Sequence, residues 1–312
     1  MRRRIRLPAI ALFLATGAGA AAAERYEIRF NRPMAVGDRF LISATGSLTN
    51  TTTMIRDEAV VRHDDLSIRI ELQALIEILE VDERGRPLRE SLGVDFLVYG
   101  AGDAPTQALP TGSVIIAETV GSRTDFRLEH GELPAMARAA LQIVVGTYTG
   151  DVPDDDLIFG TTEPQPVGGS WGVDAAAFAR AMRANGVVLG SDGLDGTVEL
   201  VGVERIEGVE CLRVEAVVKV DGLATRDVAQ GIEQLHGSAE VELTGLFPTD
   251  LGRPRMHDSK TVGMELVVKS TAGPMTGTTM RSTSLRQGKK TMIPFARRQV
   301  SDETAPASAG SD

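Results

Sequence analysis

Leu66, Ile68, Ile70 and Leu72 alternate without a break with Ser67, Arg69 and Glu71, and this period of two restricts the fold more than any other feature. Successive side chains of a β-strand point to opposite faces, so the pattern puts four aliphatic groups on one surface and polar groups on the other. A helix of the same residues would scatter them round its circumference. The alternation returns at Leu212, Val214, Ala216, Val218 and Val220, and again at Val262, Met264, Leu266 and Val268. Shorter runs at Tyr26, Ile28 and Phe30, at Val94, Phe96 and Val98, and at Ala239, Val241 and Leu243 read the same way. Turn chemistry separates them: Asp82 to Pro87, Glu207-Gly208 and Asp250 to Pro254 close hairpins, with glycine free to take positive φ.

The remaining segments are assigned from weaker patterns. Thr45 to Thr53 and Thr276 to Leu285 are largely polar and read as exposed edge strands, the former alternatively as a hairpin. The alternation after Leu72 changes phase near Ala74-Leu75-Ile76, which predicts a bulge or a bent strand continuing through Val81. Pro134 sits at a first helical position, and Met136, Ala139, Ala140, Ile143 and Val144 make one face of a helix to about Gly146. Asp174 caps a second helix, Ala175 to Ala184, with Phe178 and Met182 on its apolar face, and Ala224 to Leu235 reads as a short third one. The predicted class is mainly β: antiparallel curved sheets or open half-barrels with two or three short helices, internal duplication being one reading of the two halves.

Met1 to Ala23 bears on destination. Arg2, Arg3, Arg4 and Arg6 precede an apolar stretch, and Ala21-Ala22-Ala23 supplies small residues for a peptidase, so residues 1–23 read as a signal peptide. Its removal leaves 29 basic against 43 acidic side chains, a net charge of −14. An acidic surface of that size disfavours nucleic acid and anionic membranes, and no second apolar span follows the leader. Cys211 is the single cysteine, so the chain forms no internal disulfide even in an oxidising compartment. The expected location is the periplasm or the outside of the cell.

Pro166-Val167-Gly168-Gly169-Ser170-Trp171 has a fainter copy in Ala35-Val36-Gly37-Asp38-Arg39-Phe40, each bringing a glycine turn to an aromatic that anchors a core. The chain divides on this basis into an N-terminal β-rich half (24–150), an acidic proline-containing loop or linker (151–166), a C-terminal β-rich half (167–300) and a disordered tail (301–312). The Val167-Gly168-Gly169-Ser170-Trp171 phrase, with Glu207 to Cys211, resembles a broad set of exported bacterial β-rich proteins. The strand-rich layout is similar to the half-barrel carriers of lipoprotein sorting, which hold acyl chains in an apolar concavity. That resemblance implies a lipid or hydrophobic ligand.

Chemistry-bearing patterns are sparse. Gly168 to Gly172 fits the G-x-S-x-G spacing of a nucleophile elbow, making Ser170 a candidate nucleophile with His236 or His257 and Asp195, Asp227 or Asp250 as partners, but prolines stand where the buried strand belongs. The four histidines are far apart, and neither Asp154-Asp155-Asp156 nor Asp192 to Asp195 has calcium-loop spacing, so no metal or cofactor is expected. Arg281, Arg286, Lys289, Lys290, Arg297 and Arg298 read as charges guarding an edge. The reading that follows is an exported, non-enzymatic protein binding a hydrophobic small molecule, a lipid or an envelope component, with Trp171 in its pocket or core. The alternatives are a serine hydrolase centred on Ser170 and an envelope scaffolding module without a pocket. The oligomeric state is not written in the sequence.

Overall fold

The alternating stretch at Leu66 to Leu72 lies inside a strand of 23 residues. The computed structural model describes residues 24–101, 105–121, 123–145, 153–184, 186–189, 193–225 and 230–295. In chain order the elements are β1 (Arg25–Tyr26), β2 (Arg39–Arg56), β3 (Ala59–Val81), β4 (Pro87–Gly100), β5 (Thr106–Leu109), β6 (Val114–Val120), β7 (Arg123–Leu128), α1 (Ala135–Val144), α2 (Asp155–Phe159), β8 (Gln165–Pro166), β9 (Ser170–Gly172), α3 (Ala175–Ala184), β10 (Val187–Val188), β11 (Leu194–Ile206), β12 (Val209–Asp221), β13 (Ala224–Thr225), β14 (Ile232–Pro248), β15 (His257–Ser270) and β16 (Thr279–Pro294). One antiparallel sheet takes twelve of the strands, in the order β7-β6-β4-β3-β2-β16-β15-β14-β12-β11-β9, with β5 beside β4. The path ends at β7 and β9 and does not close.

Cross-strand partners share a face, and one row of them crosses the sheet: Ile70, Gly46, Gly288, Lys260, Leu243, Ala216 and Val198. Both hydrophobic cores therefore lie on the same, inner face. The first gathers Phe40, Ile42, Ile76, Ile78, Leu92, Ile115, Phe126 and Met292 around Ala137, Ala140, Leu141 and Val144 of α1. A helix is about 10–12 Å across, whereas the six strands from β7 to β16 would span about 24 Å if flat. Inner residues on all six are buried, so the sheet curls round α1. The second core packs Ile158, Phe159, Ala177 and Phe178 of α2 and α3 on Val198, Leu200, Leu212, Val214, Val218 and Val241. On the outer face Thr45, Thr49, Thr51 and Thr53 stand beside Glu71, Arg69, Gln287 and Lys289, and Cys211, Leu246 and Met256 form a small buried apolar cluster.

Several segments differ from the sequence reading for reasons that lie in long-range pairing. Thr45 to Thr53 and Thr279 to Leu285 are not edges: β2 and β16 pair with each other at sixteen positions and sit in the middle of the sheet. The cations of β16 consequently guard no edge; Arg286 and Lys290 lie on the inner face and Arg281 and Lys289 on the outer, while 297–298 fall outside the described residues. Ala74, Ile76 and Ile78 keep the phase of Leu72, and the irregularity belongs to β4, where the partner of Gln73 is Phe96 and that of Ala74 is Val94. Leu66, expected in the core, is 45% exposed because the apolar row outruns α1. The buried face of α1 runs through Ala137, Ala140, Leu141 and Val144, and Met136 is turned outward. The helix expected at Ala224 to Leu235 is absent from its described residues, which belong to β13, to β14 and to the turn at 230–231 that leads into β14.

Tyr26, Ile28 and Phe30 do alternate, but only Arg25 and Tyr26 pair, with β8. Ile28 and Phe30 instead plug the C-terminal core, where Phe30 meets Phe247 edge-on at 5.0 Å. The acidic 151–166 stretch, expected as an exposed loop or linker, contains α2, with Ile158 and Phe159 buried. Residues 1–23 and 301–312 lie outside the described residues.

Candidate functional site on the inner face

Trp171 and Ser170 occupy the short edge strand β9. Gly168, with φ 80°, donates its N–H to Leu200 O at 2.7 Å, and Gly169 O accepts from Leu200 N at 3.0 Å, so the glycine turn is fastened to β11 before the strand begins. Trp171 lies opposite Val198, packs against the second core and donates its indole Nε1–H to Phe159 O at 2.7 Å. It ties the end of α2 to the sheet. Ser170 lies opposite Glu199 and is exposed. Its backbone is not in the left-handed region, and no described histidine hydrogen-bonds to it. His63 bonds to Thr53 and Asp65, His257 bonds to Thr291, and His130 and His236 are exposed on the surface. Asp195 pairs in the sheet with Lys219, and Asp250 accepts from Gly252 N in its own turn; Asp227 lies outside the described residues.

The three acids of 154–156 each have a separate structural task. Asp154 accepts from Leu157 N and caps α2; Asp155 receives Arg255 at 3.2 Å; Asp156 accepts from Phe30 N at 2.5 Å and Asn31 N. Burial pushes the Asp156 carboxyl up, against the pull of those two N–H donors. Arg32, itself buried, bonds to Arg29 O and Asp250 O, and desolvation lowers its guanidinium to about 10. Among the described residues no group of three or more His, Cys, Asp or Glu side chains gathers where a metal ion would sit. A shallow polar cavity of about 210 Å³ at Gly208, Val209, Glu210, Thr249, Asp250 and Arg253 lies at a hairpin turn, and neither Ser170 nor Trp171 lines it.

Charges line the seam between the two cores. Arg255 joins Asp155 and Asp258, Lys290 approaches Asp258 at 3.7 Å, and Arg286 donates to Gln142 O and, at 3.1 Å, to Ile143 O at the end of α1. Such carbonyls are unpaired within the helix and favour a cation. Glu90 is buried on the same face, and desolvation raises its carboxyl while Lys290 opposes the rise. The sequence reading names Asp155, Arg286 and Lys290 but not this shared position on the inner face, and it passes over Glu90, Arg255, Asp258 and Lys260, although Asp258 and Lys260 hold the same phase as Val262 and Met264. Two charges at apolar-phase positions are the signal.

Past this seam the inner face runs on without a helix over it among the described residues. Leu48, Leu66, Met264, Leu266, Met54 and Met280 stand there between Asn50, Thr52, Ser282 and Ser284. Leu66 and Met264 are exposed and the other four apolar residues are half-buried. An unbranched thioether adapts to irregular apolar partners, and three of the six are methionines.

No protein-family model matches the chain, and no curated protein matches it. Among solved structures it is similar to lipovitellin, from a study of its lipid–protein interactions, at 11% identity and a TM-score of 0.34, over 85% of this chain. The chain spans 26% of that protein. OpdQ of Pseudomonas aeruginosa (7% identity, TM-score 0.23, 83% of this chain and 98% of that one) and an outer membrane channel of Pseudomonas putida F1 (11%, 0.20, 86% and 99%) are similar as well. Likenesses this low carry no argument about activity. The sheet is not closed, and both of its large apolar cores lie on the inner face.

Proposed function

We propose that the protein is exported and non-enzymatic, and that it binds a hydrophobic ligand or an apolar element of the cell envelope on the open end of its inner face. The observation that carries this reading is the set of six apolar residues Leu48, Met54, Leu66, Met264, Leu266 and Met280, which stand exposed or half-buried on the inner face among Asn50, Thr52, Ser282 and Ser284 and, among the described residues, lack the helix that covers the rest of that face. Burying a side chain of that kind against an apolar partner stabilises by about 1.5–3 kcal/mol, so a few such contacts suffice for binding. The leader at 1–23 and the strongly acidic mature composition support an exported, water-soluble carrier. Native mass spectrometry of protein purified from its own compartment tests the reading. A co-purifying lipid or other apolar small molecule, lost in a Leu66→Asp, Met264→Asp variant that keeps its β-sheet spectrum, is the expected result. A ligand retained by that variant places binding elsewhere.

A further inference from the structure

The cations and acids of the seam are unevenly matched. Asp155 and Asp258 are taken by Arg255 and Lys290, and Glu90, beside Lys290, is biased by burial towards its neutral form. Arg286 bonds to carbonyl oxygens, which leave its charge uncancelled. Lys260 has no hydrogen bond or ion pair among the described residues, although its side chain is exposed. Enough protein surrounds it in the curve of the sheet that desolvation lowers its ammonium; Asp155 and Asp258 oppose this, and Arg286 and Arg255 add to it. Among the described residues these two positive charges thus have no paired counter-ion, and an anion placed between them relieves both.

Their position decides what the anion belongs to. Lys260 lies opposite Gly288, and Arg286 opposite Leu48 and Val262, so the pair stands at the head of the open apolar surface. Glycine at 46 and 288 leaves no side chain between Lys260 and the C-terminal turn of α1, whose Ile143 and Val144 fill the space over Gly46. We propose that Lys260, with Arg286 beside it, binds the acidic head group of a single-chain amphiphile whose hydrocarbon tail lies along Leu48, Leu66 and Met264. This rests on the reading of that surface as a hydrophobic-ligand site and adds the class of ligand. A lysine ammonium is a compact point charge that accepts carboxylate or phosphate alike, so the shared requirement is an acid on an alkyl chain.

Titration calorimetry of the mature protein with laurate, dodecyl phosphate and dodecanol, each below its aggregation threshold, tests the assignment. The two acids are expected to bind at least about tenfold more tightly than dodecanol, which corresponds to one charge-assisted contact of about 1.4 kcal/mol. Lys260→Gln removes that advantage and leaves dodecanol unchanged, and Lys260→Arg restores it; far-UV circular dichroism verifies that both variants keep the sheet. A preference between the two acids, abolished by Lys260→Gln, names the head group and supports the site. Dodecanol binding as tightly as the acids, or acids indifferent to Lys260→Gln, overturns the head-group site and leaves the apolar surface standing. Absence of binding by all three in the wild type overturns the hydrophobic-ligand reading together with it.

Discussion

Glu90 sits on the inner face of β4 opposite Ile78, among aliphatic side chains, with Lys290 as the charge nearest in effect. Its carboxyl is raised from the ordinary 4.5 by desolvation, so the folded state holds the proton more tightly than the unfolded chain does. Its favourable contribution is therefore complete below about pH 4.5 and is lost as the pH climbs through the folded value, where an ionised carboxylate must stay buried. Glu90→Gln is expected to be more stable than the wild type at pH 7 and to lose that margin at pH 4, read from urea midpoints at the two values. A less stable variant at pH 7 would mean that the Lys290 attraction outweighs burial. Trp171 shows the opposite economy, since its indole is buried only in part and its one N–H is spent on Phe159 O. Its size and its glycine turn mark it as an anchor in the sequence alone. What it anchors, the end of an acidic helix twelve residues back, depends on a contact that no local pattern records.

Elements with a clean period of two are legible in the amino-acid pattern by itself. The row from Ile68 to Leu72 and the row from Leu212 to Val220 face inward, and the hairpins at 82–87 and 207–208 form where glycine and acidic residues mark them. Polar strands pass for edges in the sequence because edge and centre differ in their pairing partners, which β2 and β16 find more than two hundred residues apart. The inner face of α1 is harder to assign because alanines flank every turn and leave the hydrophobic stripe ambiguous by one position. The seating of that helix also depends on a residue outside it. A Cβ on Gly46 would lie 2.8 Å from Val144 Cγ1 and 2.9 Å from Ile143 Cγ2, so α1 approaches the sheet only over a bare backbone. Gly46→Val is expected to cost about 1–3 kcal/mol by overpacking, measured by chemical denaturation. An unchanged midpoint would show that α1 tilts away freely.

At the scale of the whole molecule, one strand joins what the sequence suggests are two halves. The first core draws on β2 to β7 and α1, the second on β9 to β15 with α2 and α3, and the main sheet passes from one to the other through β16, which pairs with β2 on one side and β15 on the other. Met292 of β16 enters the first core, while Arg286 reaches the last turn of α1. A defect in this strand should therefore be felt by both cores at once. Ser284 lies near its centre, opposite Asn50 and Met264, and belongs to neither core. Proline there cannot donate to the ladder and strains a central strand without emptying either core, so it destabilises the sheet. If the halves fold as one unit, differential scanning calorimetry of the wild type gives a single transition whose calorimetric and van't Hoff enthalpies agree, and Ser284→Pro moves that transition down intact. If the halves are independent, the wild type melts in two steps or the variant splits into two, and the open inner face between them becomes a junction whose width varies with their separation.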